Sequence, residues 1–211
     1  MPSGLRSGGI FEKFPEQVKD FGRVMDIISE KLFGQMRENR TRSPAAAKRR
    51  DTMLTHERFA YIAEKYIDTV FRVAFSSLKS REDADDVTQE VFIKLYSVNT
   101  KFESEDHIRN WLIRVTINQC RRQFRSPWRR LENIDDYAAA LSFEDDSDRE
   151  LFRAVMGLEQ KYRSVIFLYY YIGYSTAEIA DMLGVPVNTV STRLRRGRAR
   201  LKTILTEVEH D

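Results

Sequence analysis

The stretch Ser175 to Leu201, STAEIADMLGVPVNTVSTRLRRGRARL, leaves the backbone few choices. Ser175 can cap a helix while Glu178, three residues on, reaches back to the amide of the cap, the reciprocal pairing of a capping box. Ile179, Ala180 and Leu183 then make one apolar stripe at helical spacing, and Gly184 supplies the residue able to take the left-handed conformation that ends a helix. Pro186 and Asn188 suit the start of a second helix, Asn188 as its cap. Val190, Leu194 and Leu201 give that helix an inward side. Asn188, Thr189, Ser191, Thr192, Arg195, Arg196 and Arg198 are left outward. Two short helices joined this way, with Ala180 and Gly184 small enough for close approach, form a helix-turn-helix. The second helix of such a unit lies in the DNA major groove, where Arg reads guanine and Asn reads adenine.

Outside this stretch, glycine, proline and strand-like alternation are scarce and helical periodicity recurs. The expected fold is therefore all-α, with two small helical domains joined by a flexible linker and the helix-turn-helix in the C-terminal one. Four parts are expected: an N-terminal extension at 1–52, a helical domain at 53–128, an acidic linker at 129–148 and the helix-turn-helix domain at 149–211. In the extension, Phe14, Val18, Phe21, Met25, Ile28 and Leu32 form the seam of an amphipathic helix. Both a docking role and a dispensable upstream extension before Met53 are open for it.

The first helical domain reads as three helices. Phe59, Ile62, Ala63, Tyr66, Val70, Val73 and Ala74 share one side of the first. The second starts after Ser80 and turns Ala84, Val87, Val91 and Leu95 inward, which leaves Asp85, Asp86, Gln89 and Glu90 outside. Acidic residues suit the first turns of a helix through its dipole. An acidic face on a DNA-binding chain also calls for a protein partner, because phosphates repel it. Along the third helix, at about a hundred degrees per residue, Arg114, Asn118, Arg121, Arg122 and Arg125 fall on one strip, with Trp111 at its edge. Core contacts occupy the other two sides. Arginines beside an aromatic suit single-stranded or distorted nucleic acid, although a Trp at this place is also a natural core residue.

These residues carry a resemblance. Asp83-Ala84-Asp85-Asp86-Val87-Thr88-Gln89-Glu90-Val91-Phe92, then Asn110-Trp111-Leu112-Ile113-Arg114-Val115 with Asn118, then the helix-turn-helix, together resemble the bacterial RNA polymerase sigma factors of the extracytoplasmic function (ECF) group of the sigma-70 family. The resemblance spans about residues 55–206. It implies that 53–128 is sigma region 2 and 149–211 sigma region 4. The partners it implies are core RNA polymerase, promoter DNA and an anti-sigma factor. Asp85, Asp86, Gln89, Glu90 and Ile93 would contact core polymerase, and Arg114, Asn118, Arg121, Arg122 and Arg125 the downstream promoter element. The loop from Val98 to Asp106 would hold a flipped base of the non-template strand. Asn188, Thr189, Ser191, Thr192, Arg195, Arg196 and Arg198 would read the upstream element. Leu158 to Arg163 matches the opening helix of region 4, with Glu159 where proline is common, a change expected to affect only the start of that helix. Val165, Leu168 and Tyr169 would back the helix-turn-helix. The acidic run Glu144, Asp145, Asp146 and Asp148 reads either as a solvated tether or as a segment threading into the polymerase.

Composition bounds the alternatives. The net charge of +3 averages basic runs at Arg121 to Arg130 and in the C-terminal helix against the acidic block near Asp135 to Asp148. Cys120 is the one cysteine, so no intramolecular disulfide can form, and no apolar run is long enough for membrane insertion. A cytoplasmic protein is expected. His56, His107 and His210 are scattered, no zinc spacing occurs, and neither a P-loop nor a dinucleotide fingerprint is present. The chain is thus expected to be no enzyme, with no catalytic residue, metal or cofactor. The competing reading is a stand-alone helix-turn-helix regulator that binds duplex DNA without polymerase.

Overall fold

The structure is a computed structural model, and it describes residues 55–98, 100–124 and 146–208. The apolar seam from Phe14 to Leu32, Arg125 and most of the 129–148 segment lie outside the described residues. Among the described residues the elements are α1 (His56–Leu78), α2 (Arg81–Ser97), α3 (Glu105–Gln123), α4 (Asp146–Gly157), α5 (Gln160–Tyr170), α6 (Thr176–Leu183) and α7 (Val187–Val208), with no strand. The all-α class is as the periodicity requires. Contacts divide the described residues into two units: 55–74 with 82–98 and 100–124, and 75–81 with 146–208.

In the first unit, the inward residues named from spacing are the buried ones. Ala84, Val87, Val91 and Leu95 of α2 are buried together with Ile108, Leu112 and Ile113 of α3 and Phe59, Ile62 and Val70 of α1. The ring of Phe59 stands nearly perpendicular to those of Phe92 and Tyr96, with centroids 6.4 and 5.3 Å apart, the T-shaped arrangement aromatic quadrupoles favour. Burial on α1 exceeds one stripe. Every residue from Val70 to Leu78 is buried, Arg72, Ser76 and Ser77 included. Lys79 then takes a left-handed backbone, φ 58°, and α2 begins two residues later. Thr88 and Thr116, also fully buried, donate their hydroxyls to the carbonyls of Ala84 and Leu112 at 2.7 Å, which leaves neither hydroxyl unsatisfied.

The second unit packs α4 to α7 around Phe152, Val155, Val165, Ile166, Phe167, Leu168, Ile179, Val190 and Leu194. Its α4 begins at Asp146, inside the segment expected as linker, and Asp148 is buried rather than solvated. Tyr169, expected behind the helix-turn-helix, is exposed. Ile166 and Phe167 fill that place instead, because α5 turns its 165–168 stretch inward as a whole. Among the described residues Arg163 is a fully buried cation, 2% exposed. Its guanidinium donates to the carbonyls of Met156 and Leu158 (3.2 and 2.6 Å), of Ser77 (3.1 Å) and of Ser76. A cation can be buried there only because helix and turn carbonyls surround it with acceptors.

Candidate nucleic-acid interface

The helix-turn-helix is built as its sequence dictates at the first helix. The Ser175 hydroxyl oxygen accepts from the Glu178 amide at 3.3 Å, and the Glu178 carboxylate accepts from the Ser175 amide at 2.8 Å. That capping box fixes where α6 begins. Gly184 ends it at φ 64°, and the Val185 amide donates back to the Ala180 carbonyl at 3.0 Å. A Cβ on Gly184 would meet nothing within 4 Å, so this glycine serves the left-handed turn and not the close approach expected of it. Close approach belongs to Gly197 on α7. A Cβ there would stand 3.0 Å from Cγ1 of Ile166 and 3.5 Å from Cβ of Tyr162.

The start of α7 also differs from expectation. The Pro186 carbonyl accepts from the amides of Thr189 and Val190 at 2.9 and 3.2 Å, so the helix begins at Val187 and Asn188 lies within its first turn, exposed. A proline just before the helix supplies the turn without needing an amide, and Asn188 is released from capping. Val190 and Leu194 are buried as expected, whereas Leu201 is half-buried. Asn188, Ser191, Thr192, Arg195, Arg196 and Arg198 are exposed, and Thr189 is half-buried.

Four of these residues share a cleft. Asn188, Thr189, Thr192 and Arg196 line a hollow of about 400 Å³ together with Lys161 and Tyr162 of α5 and with Arg193. Three cations beside two threonine hydroxyls and an amide make a cleft that favours hydrogen-bonding anions. Spacing alone had assigned neither Lys161 nor Arg193 to it. Arg193 could have been found as the residue four beyond Thr189 and three before Arg196 on one face. Lys161 could not, since it comes from another helix.

The rim of this cleft is braced by Glu159. Its carboxylate pairs with Lys161 at 2.7 Å and with Arg200, and both cations lie over the Tyr162 ring, 4.9 and 4.5 Å from its centroid. Hydrogen bonds from Lys161 and then Arg200 hold the Glu159 carboxyl below the usual carboxylate range, while the same carboxylate raises both cations. Glu159 makes no side-chain cap for α5. It joins the start of α5 to the middle of α7, so its effect extends beyond the start of the helix.

In the first unit, Arg114, Asn118, Arg121 and Arg122 all lie exposed along α3. Ahead of them, the Ser104 hydroxyl accepts from the His107 amide at 3.1 Å and caps α3. The Glu103 amide donates to Nδ1 of His107 at 3.4 Å. Phe102 is buried between the edges of His107 and Trp111, at 5.4 and 5.7 Å. Trp111 itself is half-buried, its ring nearly perpendicular to that of Phe102. The loop is thus tied to the first turn of α3. Glu105 adds a further tie, accepting from Tyr61 of α1 at 3.1 Å and from Lys65. Lys65 also lies 5.5 and 5.6 Å from the rings of Tyr61 and Tyr66. The Glu105 hydrogen bond drives the Lys65 ammonium up and, reciprocally, Lys65 drives the Glu105 carboxyl down.

On α2, Asp86 and Glu90 are exposed and Asp85, Gln89 and Ile93 half-buried, on the side away from the core. Glu90 accepts from the side-chain amide of Gln119 on α3. Among the described residues no cluster of His, Cys, Asp and Glu could hold a metal, and no helix is long and apolar enough to cross a membrane.

Comparison with known proteins follows the same two-part plan. The family described as sigma-70 region 2 matches residues 62–130, and the family described as sigma-70, region 4 matches residues 148–201. The chain is 27% identical over 168 residues to the ECF RNA polymerase sigma factor SigW of Bacillus subtilis, covering 71% of this chain and 90% of that one. It is 29% identical over 155 residues to the ECF RNA polymerase sigma factor SigM of Mycobacterium tuberculosis, covering 71% and 79%. Among solved structures, CnrH in complex with the cytosolic domain of CnrY is similar with a TM-score of 0.56 and 26% identity, over 77% of this chain and 95% of that one. Two family regions in order, on a helical scaffold that presents an acidic α2, an arginine strip and a capped helix-turn-helix, identify the chain as a sigma factor of the ECF group of the sigma-70 family.

Proposed function

We propose that this sigma factor binds core RNA polymerase through Asp85, Asp86, Gln89, Glu90 and Ile93 of α2 and directs it to promoters through two DNA surfaces. The observation that carries this reading is the segregation of charge. In the first unit acidic residues are exposed on α2 while Arg114, Arg121 and Arg122 are exposed on α3, so a protein and a nucleic acid have separate faces. Residues 53–128 act as region 2, and region 4 begins with α4 at Asp146, the segment between them joining the two. Arg114, Asn118, Arg121, Arg122 and Arg125 engage the downstream element. A base flipped from the non-template strand is held by the loop from Val98 to Asp106, beside the half-buried Trp111, which buried Phe102 backs. Capture of exposed bases offsets the few kcal/mol of unstacking and so helps opening. Asn188, Thr189, Ser191, Thr192, Arg195, Arg196 and Arg198 of α7 read the upstream element from the major groove. The chain contributes no catalytic group. Polymerase supplies the chemistry, in the cell interior. An anti-sigma factor that covers these surfaces is the further partner of this reading, and the similarly folded CnrH is solved with the cytosolic domain of another protein.

Run-off transcription with purified core polymerase and a promoter library tests the proposal. Initiation that depends on the chain is expected. Reversing Asp86 and Glu90 to Lys should weaken core binding, and Arg196→Ala should spare core binding while impairing promoter selection. If no template initiates, yet the purified chain binds an operator tightly by itself, it is a stand-alone regulator.

A further inference from the structure

At about a hundred degrees per residue, Thr189, Arg193, Arg196 and Arg200 of α7 fall within about sixty degrees of one another, on the flank shared with α5. Thr189, Arg193 and Arg196 line the cleft together with Lys161. Arg200, next in that row, meets a carboxylate instead. Oε1 of Glu159 accepts from Arg200 and Oε2 from Lys161, the latter at 2.7 Å, so both oxygens are engaged, one on each cation. Glu159, Lys161 and Arg200 are all exposed. An ion pair this open to water adds modestly to stability and stays within reach of another anion. Hydrogen bonds from Lys161 and then Arg200 hold the Glu159 carboxyl low, which keeps it an anion at neutral pH. The rim of the cleft thus carries one net positive charge where two cations stand.

We propose that Glu159 is an electrostatic brake on the duplex grip of the second unit, cancelling one of the two cations that α5 and α7 offer to phosphate at this rim. The proposal deepens, and rests on, the assignment above of α7 to duplex DNA. A phosphate that approaches Lys161 or Arg200 must displace a carboxylate from the same cation, and it is repelled by that carboxylate at close range. Counterion release then registers one cation and not two. A carboxylate that merely held Lys161 ready for phosphate would have the opposite effect. The Tyr162 ring makes such holding unnecessary, because Lys161 and Arg200 already lie over it, 4.9 and 4.5 Å from its centroid. With the sequence-independent grip kept small, contacts to bases decide a larger share of where α7 settles.

The test uses the full chain and fluorescein-labelled duplexes of unrelated sequence, with binding read by anisotropy over a range of salt. Glu159→Gln should bind about five-fold tighter at about 0.15 M salt and steepen the slope of log affinity against log salt by about one. The gain should be the same for every duplex. In the Glu159→Gln/Lys161→Ala double variant the rim again carries one net charge, and the slope should return to that of the unaltered chain. Glu159 is exposed, so the substitution leaves the fold in place, which circular dichroism checks. Weaker binding by the folded Gln variant would make Glu159 a holder of Lys161 and overturn the brake, as would an unchanged slope or a gain confined to one sequence. Failure of the underlying assignment looks different: Arg196→Ala would leave both the affinity and the sequence preference of duplex binding unchanged.

Discussion

Gly197 of α7 faces Ile166 of α5 so closely that a Cβ at 197 would stand 3.0 Å from Cγ1 and 3.3 Å from Cδ1. At this position α7 is seated on α5 by the absence of a side chain. A branched residue has nowhere to go, because Tyr162 closes the other side at 3.5 Å. Gly197→Val should cost about 2 kcal/mol of stability in the second unit by overpacking. Thermal unfolding would show it, and promoter selection should suffer while core binding by α2 persists.

Arg163 should be more costly to replace. Its guanidinium satisfies the carbonyls of Met156, Leu158, Ser76 and Ser77, and an apolar side chain of similar length leaves them buried without donors. Arg163→Met is expected to destabilise by about 3 kcal/mol, measured by denaturant titration. An effect below about 1 kcal/mol would mean that water replaces the guanidinium.

Acid should act through Glu159. Its carboxyl is lowered in the folded chain by Lys161 and Arg200, so between that lowered value and the usual one the unfolded chain binds the proton and the folded chain does not. Stability contributed by this group is therefore full above the usual carboxylate range and declines as pH falls through the folded value. Glu159→Gln should remove that part of the acid dependence and flatten the unfolding profile there. Identical acid profiles for the two proteins would rule out the contribution.

The cleft beside α7 makes a prediction about salt. If Lys161 and Arg193 contact phosphate, Lys161→Ala and Arg193→Ala should each weaken duplex binding evenly across sequences and lower the slope of log affinity against log salt by about one. Arg196→Ala, aimed at bases in the proposed reading, should instead alter preference among sequences. A lysine variant with an unchanged slope would remove α5 from the interface.

How much of this was legible follows from the range of each signal. The capping box at Ser175 and Glu178, the left-handed Gly184 and the inward residues of α2 are governed by neighbours within one turn, and the sequence pattern located them. The places it missed depend on a second element. Gly197 looks like an ordinary helix residue until Ile166 is opposite it. Tyr169 sits at a core-like spacing but meets solvent, and Gln119 looks like surface polar until Glu90 of another helix explains its burial. The cap expected at Asn188 lies two residues earlier, because Pro186 supplies the turn. Of the proposed contacts, the exposed ones on α3 and α7 came from angular position alone, whereas Lys161 required the packing of α5 against α7.

Trp111 carries a practical consequence. The chain has two tryptophans, Trp111 and Trp128, and Trp111 rests half-buried on Phe102 at the head of the arginine strip. A Trp128→Phe chain would keep a single indole emitter at the place where a flipped base would stack. Quenching of its intrinsic fluorescence would then time strand capture without any attached dye, and separate that step from duplex docking by α7.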